Sequence, residues 1–273
     1  MLLAAALLAL SLAPQPLPSP PAPPGTIVQQ PGLFPLPDDA VAYVPKSAGP
    51  NPPLLVLLHG AGRQRLTMIQ HFEAEANKRG VVLLAPTSKR PTWDAVELGE
   101  AMPSPDSPLA NKLAHLFTSS RDEKRVNAAI VNLERQVPVD RARIVLAGFS
   151  DGATFALAMG LSRNEDFAAV IAWSPGIAIQ TDQPARGRRV FVSHGRQDPI
   201  LKFEVTCGEI VPLLKSEGAE VTFVPFDGGH DAPVWLKDTF LDAVFGPVAG
   251  SEARPLPEGS GVCVGDPSSR TGG

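Results

Sequence analysis

An α/β fold with one open, mostly parallel sheet is predicted by two observations in this 273-residue sequence. Short apolar runs such as residues 54–58 recur along the chain, and a helix-length pattern follows most of them. Strands that are apolar on both faces and alternate with helices are typical of a parallel sheet covered by helices on both sides. Because no internal repeat is visible and 44% of the residues are hydrophobic, we expect a single domain.

Each apolar run is bounded by glycine, proline or polar residues, which favours a strand, and the longer patterns with apolar residues on one face favour helices. The predicted strands are 41–45 (as an edge strand), 54–58, 81–85, 144–147, 167–173, 189–193 and 220–225. The predicted helices are 67–79, closed by Gly80, then 121–136, 153–161, 200–216 and 232–245.

The two ends of the chain are predicted to lie outside this domain, which we expect to span residues 25–248. Residues 1–24 begin with an apolar run of signal-peptide type and continue as a proline-rich spacer, which favours a secreted or periplasmic protein. The alternatives are a disordered apolar N-terminus and a proline-rich ligand for a recognition domain. Residues 249–273 are predicted to form a flexible tail.

Composition excludes several classes of function. The net charge of −4 gives no electrostatic basis for binding nucleic acid, and the N-terminal apolar run is too short for a stable membrane span. Cys207 and Cys263 have no neighbouring histidines, so no metal site is expected. Two interpretations of Cys207 stay open: it forms a disulfide with Cys263, or it is a buried free thiol.

The most informative motif is G-x-S-x-G at residues 148–152, which follows a predicted strand and precedes a predicted helix. This context is that of a nucleophile elbow, in which a tight turn exposes the serine and the glycines let strand and helix approach closely. Ser150 is therefore the candidate nucleophile. Ser174 and Ser193 also end predicted strands but lack flanking glycines.

A serine nucleophile requires a histidine base that is oriented by a carboxylate. Asp198 and His230 each lie a few residues past a predicted strand, in the order Ser, Asp, His that is expected of α/β-hydrolases. Asp227 and Asp231 flank His230 and compete with Asp198 for the orienting role. Residues so close in sequence rarely reach the far ring nitrogen, which favours Asp198.

Two backbone N–H groups are needed to bind the oxyanion of the tetrahedral intermediate. One is expected from Asp151, directly after the nucleophile, and the other from the loop of residues 59–62 after the second predicted strand. We expect Ala61 to be that second donor in preference to Gly62. The acidic side chain of Asp151 is expected to disfavour anionic substrates.

With these motifs in place, the chain resembles the phospholipase/carboxylesterase group of α/β-hydrolases, which includes feruloyl-esterase-like enzymes and acyl-protein thioesterases. The matching segments are LLHGAG (57–62), GFSDG (148–152), SHGRQDPI (193–200) and GGH (228–230). The resemblance implies an α/β-hydrolase fold with an eight-stranded sheet, and a small-molecule ester substrate cleaved without a cofactor. Ala153 and Asp151 depart from the residues frequent in this group.

Further residues are expected near the site. His59, Gly62, Trp93 and Phe149 are candidate pocket residues, although His59 more often shapes the oxyanion loop, Trp93 equally suits a loop anchor and Phe149 favours packing. His194 is expected to bond within its own turn, and His71 and His115 have no paired ligand. Residues 87–120 form a long connection that suits a lid or a disordered segment.

These observations predict a serine esterase that acts through an acyl-enzyme intermediate. The alternatives are a thioesterase or peptidase of the same fold, and a hydrolase-fold binding protein without turnover. The sequence does not determine the oligomeric state.

Overall fold

The computed structural model of the chain describes residues 31–94, 96–97, 120–162, 166–177, 185–252 and 254–255. Its strands are β1 (Gly32–Pro35), β2 (Val41–Val44), β3 (Leu54–Leu58), β4 (Val82–Ala85), β5 (Ile144–Phe149), β6 (Ala169–Trp173), β7 (Arg189–Gly195) and β8 (Glu220–Phe226). Its helices are α1 (Arg65–Arg79), α2 (Arg121–Glu134), α3 (Asp151–Ser162), α4 (three consecutive pieces, Phe203–Val205, Thr206–Ile210 and Val211–Ser216) and α5 (Val234–Phe245).

All eight strands form one sheet in the order β1-β2-β4-β3-β5-β6-β7-β8. The strands from β4 to β8 are parallel, whereas β1 and β2 pair antiparallel at one edge. The predicted fold class is therefore confirmed. Because parallel strands direct their carboxyl ends to the same edge, the loops after β3, β5, β7 and β8 converge there.

The helices cover both faces of the sheet. Alternate residues of β3 separate into two cores, with Leu54, Val56 and Leu58 in one and Leu55 and Leu57 in the other. The first core is completed by α2, α3 and α4, and the second by α1 and α5. This alternation explains why β3 is apolar at every position.

The structure differs from the sequence predictions at two elements. The edge strand is β1, which the sequence did not indicate, because it is short, partly exposed and contains both Gly32 and Pro35. Residues 41–44 consequently lie inside the sheet, between β1 and β4. The predicted helix 200–216 begins at Phe203 and contains a π-helical turn at Thr206–Ile210.

Several predictions fall on residues that the structure does not describe, namely 1–24, His115, Cys263 and most of 98–120 and 249–273. Cys207 is disulfide-bonded, so the alternative that it is a buried free thiol is excluded. Among the described residues, no helix has the length and apolar character needed to cross a bilayer.

Candidate active site

Ser150 occupies the turn between β5 and α3 with a φ of 57°, a left-handed conformation that is uncommon outside glycine. Its backbone N–H donates to Trp173 O (2.9 Å), which ties the turn to β6. A Cβ atom on Gly148 would lie 2.0 Å from Gly152 O, and one on Gly152 would lie 2.2 Å from Leu58 O. Only glycine fits at either position, which is the geometry expected of a nucleophile elbow.

His230 and Asp198 meet at the carboxyl edge of the sheet, where His230 Nδ1 lies 2.6 Å from Asp198 Oδ2. The other carboxylate oxygen, Oδ1, accepts hydrogen bonds from the backbone N–H groups of Ile200 (2.8 Å) and Leu201 (2.9 Å). Burial opposes ionisation of Asp198, but the bonds from His230 and the two amides outweigh it and lower the pKa of the carboxyl. The carboxylate is thus ionised and fixed in place at neutral pH.

The two competing carboxylates do not bond to His230. The Asp227 side chain is 87% exposed and faces Arg196 at 3.7 Å. Asp231 is exposed, and its Oδ1 accepts from the backbone N–H of Ala232 (2.7 Å). Asp198 is therefore the carboxylate that orients the His230 ring.

His194 contributes a second imidazole to the same carboxylate. The ring is fully buried, and its Nε2 lies 3.0 Å from Leu201 O and 3.1 Å from Asp198 Oδ2. Its Nδ1 lies 2.7 Å from the hydroxyl of Thr206. Burial lowers the pKa of His194, so the ring is neutral and Nε2–H donates to the two oxygens. The bond to Leu201 lies within the turn, as predicted, whereas the approach to Asp198 required the folded loop.

Hydrogen bonds through both ring nitrogens of His59 tie the loop after β3 to the residues around it. The ring is fully buried, Nδ1–H donates to Gly60 O (2.6 Å), and Nε2 accepts from the Ser88 N–H (3.1 Å). Burial lowers the pKa of His59 to about 4, so the ring is neutral. The Trp93 indole N–H donates to His59 O (2.7 Å), and its ring stacks on His59. His59 therefore shapes the loop.

The backbone donors predicted for an oxyanion differ in availability. Gly62 N–H donates to Pro91 O (2.8 Å) and is occupied. Within the described part of the chain, Ala61 N–H has no backbone acceptor. Asp151 is the first residue of α3, where a backbone N–H has no partner inside the helix. Among the described residues, neither the Ala61 N–H nor the Asp151 N–H has a backbone acceptor, so both are available as donors.

A cavity of about 530 Å³ opens at this edge of the sheet, and Ser150 and His230 both lie on its wall. The other lining residues are mostly apolar or aromatic; they are His59, Gly60, Ala61, Gln64, Thr67, Met68, His71, Phe72, Phe149, Trp173, Ile200, Asp231, Ala232, Val234 and Lys237. The Ser150 hydroxyl makes no hydrogen bond to any described residue. Bonds of this kind are often long in free enzymes and shorten when substrate binds.

Of the four predicted pocket residues, His59 and Phe149 line the cavity, whereas Gly62 and Trp93 do not. Trp93 is fully buried between His59 and Phe155, so it anchors its loop to the body of the protein. The contributions of α1, Trp173 and Lys237 to the wall were missed, because no local pattern marks a buried helix face as a pocket wall. No group of metal-ligating side chains occurs among the described residues.

The Asp151 side chain is not on the cavity wall. Its Oδ2 accepts a hydrogen bond from the Thr92 hydroxyl (2.5 Å), which holds the carboxylate against the 88–94 segment. The Asp151 carboxylate is therefore not on the wall of the cavity, and its expected effect on anionic substrates stays a prediction.

The sheet order and the elbow define the class of protein: the chain has the α/β-hydrolase fold. Among solved structures, it is similar to the esterase PE8, with a TM-score of 0.56 and 21% identity over 78% of this chain and 99% of that one. It is also similar to the acetyl xylan esterase from Aspergillus awamori, with a TM-score of 0.55 and 16% identity over 76% and 93% of the two chains.

The profile of the phospholipase/carboxylesterase family matches residues 40–235, more than half of the sequence, and the chain belongs to that family. It is 29% identical over 120 residues to acyl-protein thioesterase 1 of Neurospora crassa, covering 40% of this chain and 47% of the relative. It is 25% identical over 171 residues to the bifunctional acetylxylan esterase/xylanase XynS20E of Neocallimastix patriciarum, covering 61% of this chain and 22% of the relative. The chain thus spans less than half the length of either curated relative.

Proposed function

We propose that this protein hydrolyses carboxylic esters through an acyl-enzyme intermediate on Ser150. The observation that carries the proposal is the 2.6 Å contact between His230 Nδ1 and Asp198 Oδ2, beside the cavity that Ser150 and His230 both line. A serine hydroxyl is a weak nucleophile, and it becomes effective when an oriented histidine accepts its proton. Membership of the phospholipase/carboxylesterase family supports the same activity.

In the proposed mechanism, Ser150 Oγ attacks the ester carbonyl while His230 Nε2 takes the hydroxyl proton. The carbonyl oxygen becomes an oxyanion that accepts hydrogen bonds from the N–H groups of Ala61 and Asp151. As the carbon–oxygen bond to the alcohol breaks, His230 gives its proton to the leaving alcohol. A water molecule then attacks the acyl-enzyme with His230 again as base, and Ser150 is regenerated.

Asp198 has a positioning role in this scheme. Its bond to Nδ1–H leaves the lone pair of His230 on Nε2, the nitrogen that must face the serine. Its charge also stabilises the imidazolium that forms during each step. Because two backbone amides and His194 hold the carboxylate, the imidazole is oriented before substrate arrives.

The decisive test replaces the nucleophile. Ser150→Ala is expected to lower kcat for short p-nitrophenyl esters by at least about 10⁴-fold, since the residual rate of such variants comes from binding and the oxyanion site alone. Ser193→Ala is the matched control, because Ser193 is also a buried serine but lies within β7 and not on a glycine-flanked turn. A fluorophosphonate probe should label wild type and Ser193→Ala but leave Ser150→Ala unlabelled. Wild-type turnover by Ser150→Ala would exclude the mechanism, and an unlabelled, inactive wild type would favour a binding protein.

A thioesterase is the second candidate, because 120 residues of the chain are 29% identical to an acyl-protein thioesterase. Thioesters pass through the same acyl-enzyme and differ only in the leaving group. Comparing kcat/KM for an oxygen ester and a thioester with the same acyl group decides between them. An excess for the thioester well beyond its greater intrinsic reactivity would favour the second candidate.

We also propose export to the periplasm or the medium, on the support of the apolar run at residues 1–13 and the proline-rich segment after it. Fractionation of cells that express the full chain, followed by N-terminal sequencing, tests this. We expect the exported form to start between residue 13 and residue 31. A cytoplasmic protein with an intact N-terminus would contradict the proposal.

A further inference from the structure

Lys237 is a buried cation on the wall of the cavity. It lies on α5, only 6% of the residue is exposed, and it lines the same cavity as Ser150 and His230. Its ammonium donates one hydrogen bond, to His71 O (3.2 Å), and lies 5.1 Å from the centre of the Phe72 ring. No carboxylate within the described ranges comes within ion-pair distance of it. An ammonium group has three N–H donors, and the described residues accept a hydrogen bond from one of them.

The carboxylates nearest to Lys237 in the sequence and on α1 bind other groups. Glu75, Asp238 and Asp242 all bind the buried guanidinium of Arg79, and Asp238 also binds Arg254 at 2.8 Å. Asp231 shares the cavity wall, but it is exposed to water and accepts a hydrogen bond from its neighbour's amide. The charge of Lys237 is therefore incompletely compensated inside the protein.

This arrangement is energetically costly unless something else accepts hydrogen bonds from the remaining donors. Lysine is almost never fully buried without a partner, because moving an ammonium out of water removes its hydration. Burial lowers the pKa of Lys237, and the more distant charges of Asp231, Glu75 and Asp238 partly offset that effect. The apolar side chains of Met68, Phe72 and Trp173 on the same wall offer it no acceptor. An anionic group on the substrate would supply the missing partner.

We propose that Lys237 makes this cavity selective for esters that carry a carboxylate on the acyl or the alcohol portion. The inference rests on the proposed esterase function and names the substrate class of the same site. The ammonium binds the substrate carboxylate, while the apolar wall holds the chain between that carboxylate and the ester. The Asp151 carboxylate lies off the wall and accepts a hydrogen bond from Thr92, so it does not compete with the substrate for the Lys237 ammonium.

The first test compares matched substrates that differ only in the terminal group. On the acyl side the pair is monomethyl adipate and methyl hexanoate, and on the alcohol side it is 6-acetoxyhexanoate and hexyl acetate, with shorter and longer homologues of each. For wild type we expect kcat/KM for the carboxylate member of at least one pair to exceed that of the neutral member. Lys237→Met should lower this ratio by about 10-fold to 100-fold, the usual effect of losing a charge-assisted hydrogen bond.

Two further variants serve as controls. Lys237→Arg keeps the positive charge and should retain more of the ratio than Lys237→Met does. Lys215→Met removes an exposed lysine of α4 and should leave both the ratio and the turnover at wild-type values. Active-site titration with a phosphonate normalises every rate to folded enzyme. A ratio that is the same in wild type and Lys237→Met for both pairs would overturn the inference.

The second test measures binding without turnover, which separates this inference from the proposed function. Titration calorimetry of monomethyl adipate and methyl hexanoate into Ser150→Ala, with and without Lys237→Met, gives the preference directly. A carboxylate preference that disappears with Lys237→Met supports the inference even if wild type hydrolyses no ester. Equal affinity for the two ligands, in a protein that hydrolyses neutral esters, would refute the inference and leave the proposed function standing.

Discussion

Gly148 is the residue that the turn at Ser150 tolerates least. A Cβ atom there would lie 2.0 Å from Gly152 O, so Gly148→Ala must push β5 and α3 apart and displace the serine between them. We expect ester hydrolysis to fall by at least about 100-fold, because small displacements of a reacting group carry penalties of that size. Gly208→Ala is the control, since a Cβ on Gly208 meets nothing within 4 Å. Rates per mole of folded protein check the prediction, which full activity in Gly148→Ala would refute.

The stability of the fold around the loop after β3 is expected to depend on pH through His59. Its pKa is about 4 in the folded protein and 6.5 in the unfolded chain, so between these values only the unfolded chain binds the proton. The contribution of His59 to stability is therefore complete above the unfolded pKa and is lost as the pH falls toward 4, by about 3 kcal/mol in all.

Urea unfolding near neutral pH and at about pH 4.5 measures this loss. The fall in the free energy of unfolding between the two pH values should be about 2 kcal/mol smaller in His59→Gln than in wild type. His71→Gln, at an exposed position, is the control for the replacement of a histidine by glutamine. Since His59→Gln removes a buried bond and lowers stability by itself, the chemical shift of the His59 ring in wild type provides a second readout. A measured pKa of the His59 ring near its ordinary value of 6.5 would contradict the prediction.

At the scale of elements, α1 and α5 are joined by a buried ionic cluster. Arg79 at the end of α1 is 4% exposed at its side chain and binds Glu75, Asp238 and Asp242, with 3.1 Å between its Nη2 and Asp238 Oδ1. Arg79→Met would leave these buried carboxylates without their shared cation, and we expect the free energy of unfolding to fall by about 3–5 kcal/mol. Lys78→Met, which removes a half-exposed partner of Glu75, should cost at most about 1 kcal/mol. Chemical denaturation of both variants measures the difference, and equal losses would show that the cluster is not what joins the helices.

The elements that the sequence predicts well are those whose residues are buried on every side. The run at 54–58 matches β3 at both ends, because each of its residues faces a core. The edge strand β1 was missed, because a partly exposed strand of four residues that includes Gly32 and Pro35 has no distinctive pattern. The π-helical turn in α4 was missed for a similar reason, since a local change in hydrogen bonding leaves the apolar spacing of the helix almost unaltered.

At the scale of the whole molecule, the strand-end residues were predictable but the cavity wall was not. Ser150 directly follows β5, Asp198 and His230 lie a few residues after β7 and β8, and the parallel sheet brings such positions to one edge. Lys237 is an ordinary polar position of a helix until α5 packs against α1, which buries it and places it in the cavity. The wall of the cavity depends on how distant elements pack, which no local sequence motif indicates.

The disulfide at Cys207 links the fold to the compartment in which the protein is expected to act. Cys207 is bonded and the sequence contains one other cysteine, Cys263, which lies outside the described residues. Disulfides persist in oxidising compartments such as the periplasm and the medium. Protein recovered from there should therefore show no alkylatable thiol when denatured without reductant, two after reduction, and the mass of a monomer on a non-reducing gel.

Reduction should also lower the free energy of unfolding, by about 2–4 kcal/mol if the closed loop restricts the unfolded chain as in other proteins. Cys263→Ser separates the bond from side effects of the reductant, because it should reproduce the loss without any reductant present. It should also yield one alkylatable thiol, at Cys207, once the protein is denatured. Thiols that react in the oxidised wild type, or a covalent dimer that reductant dissolves, would each contradict an intrachain bond. Either result would also remove the structural support that the disulfide lends to export.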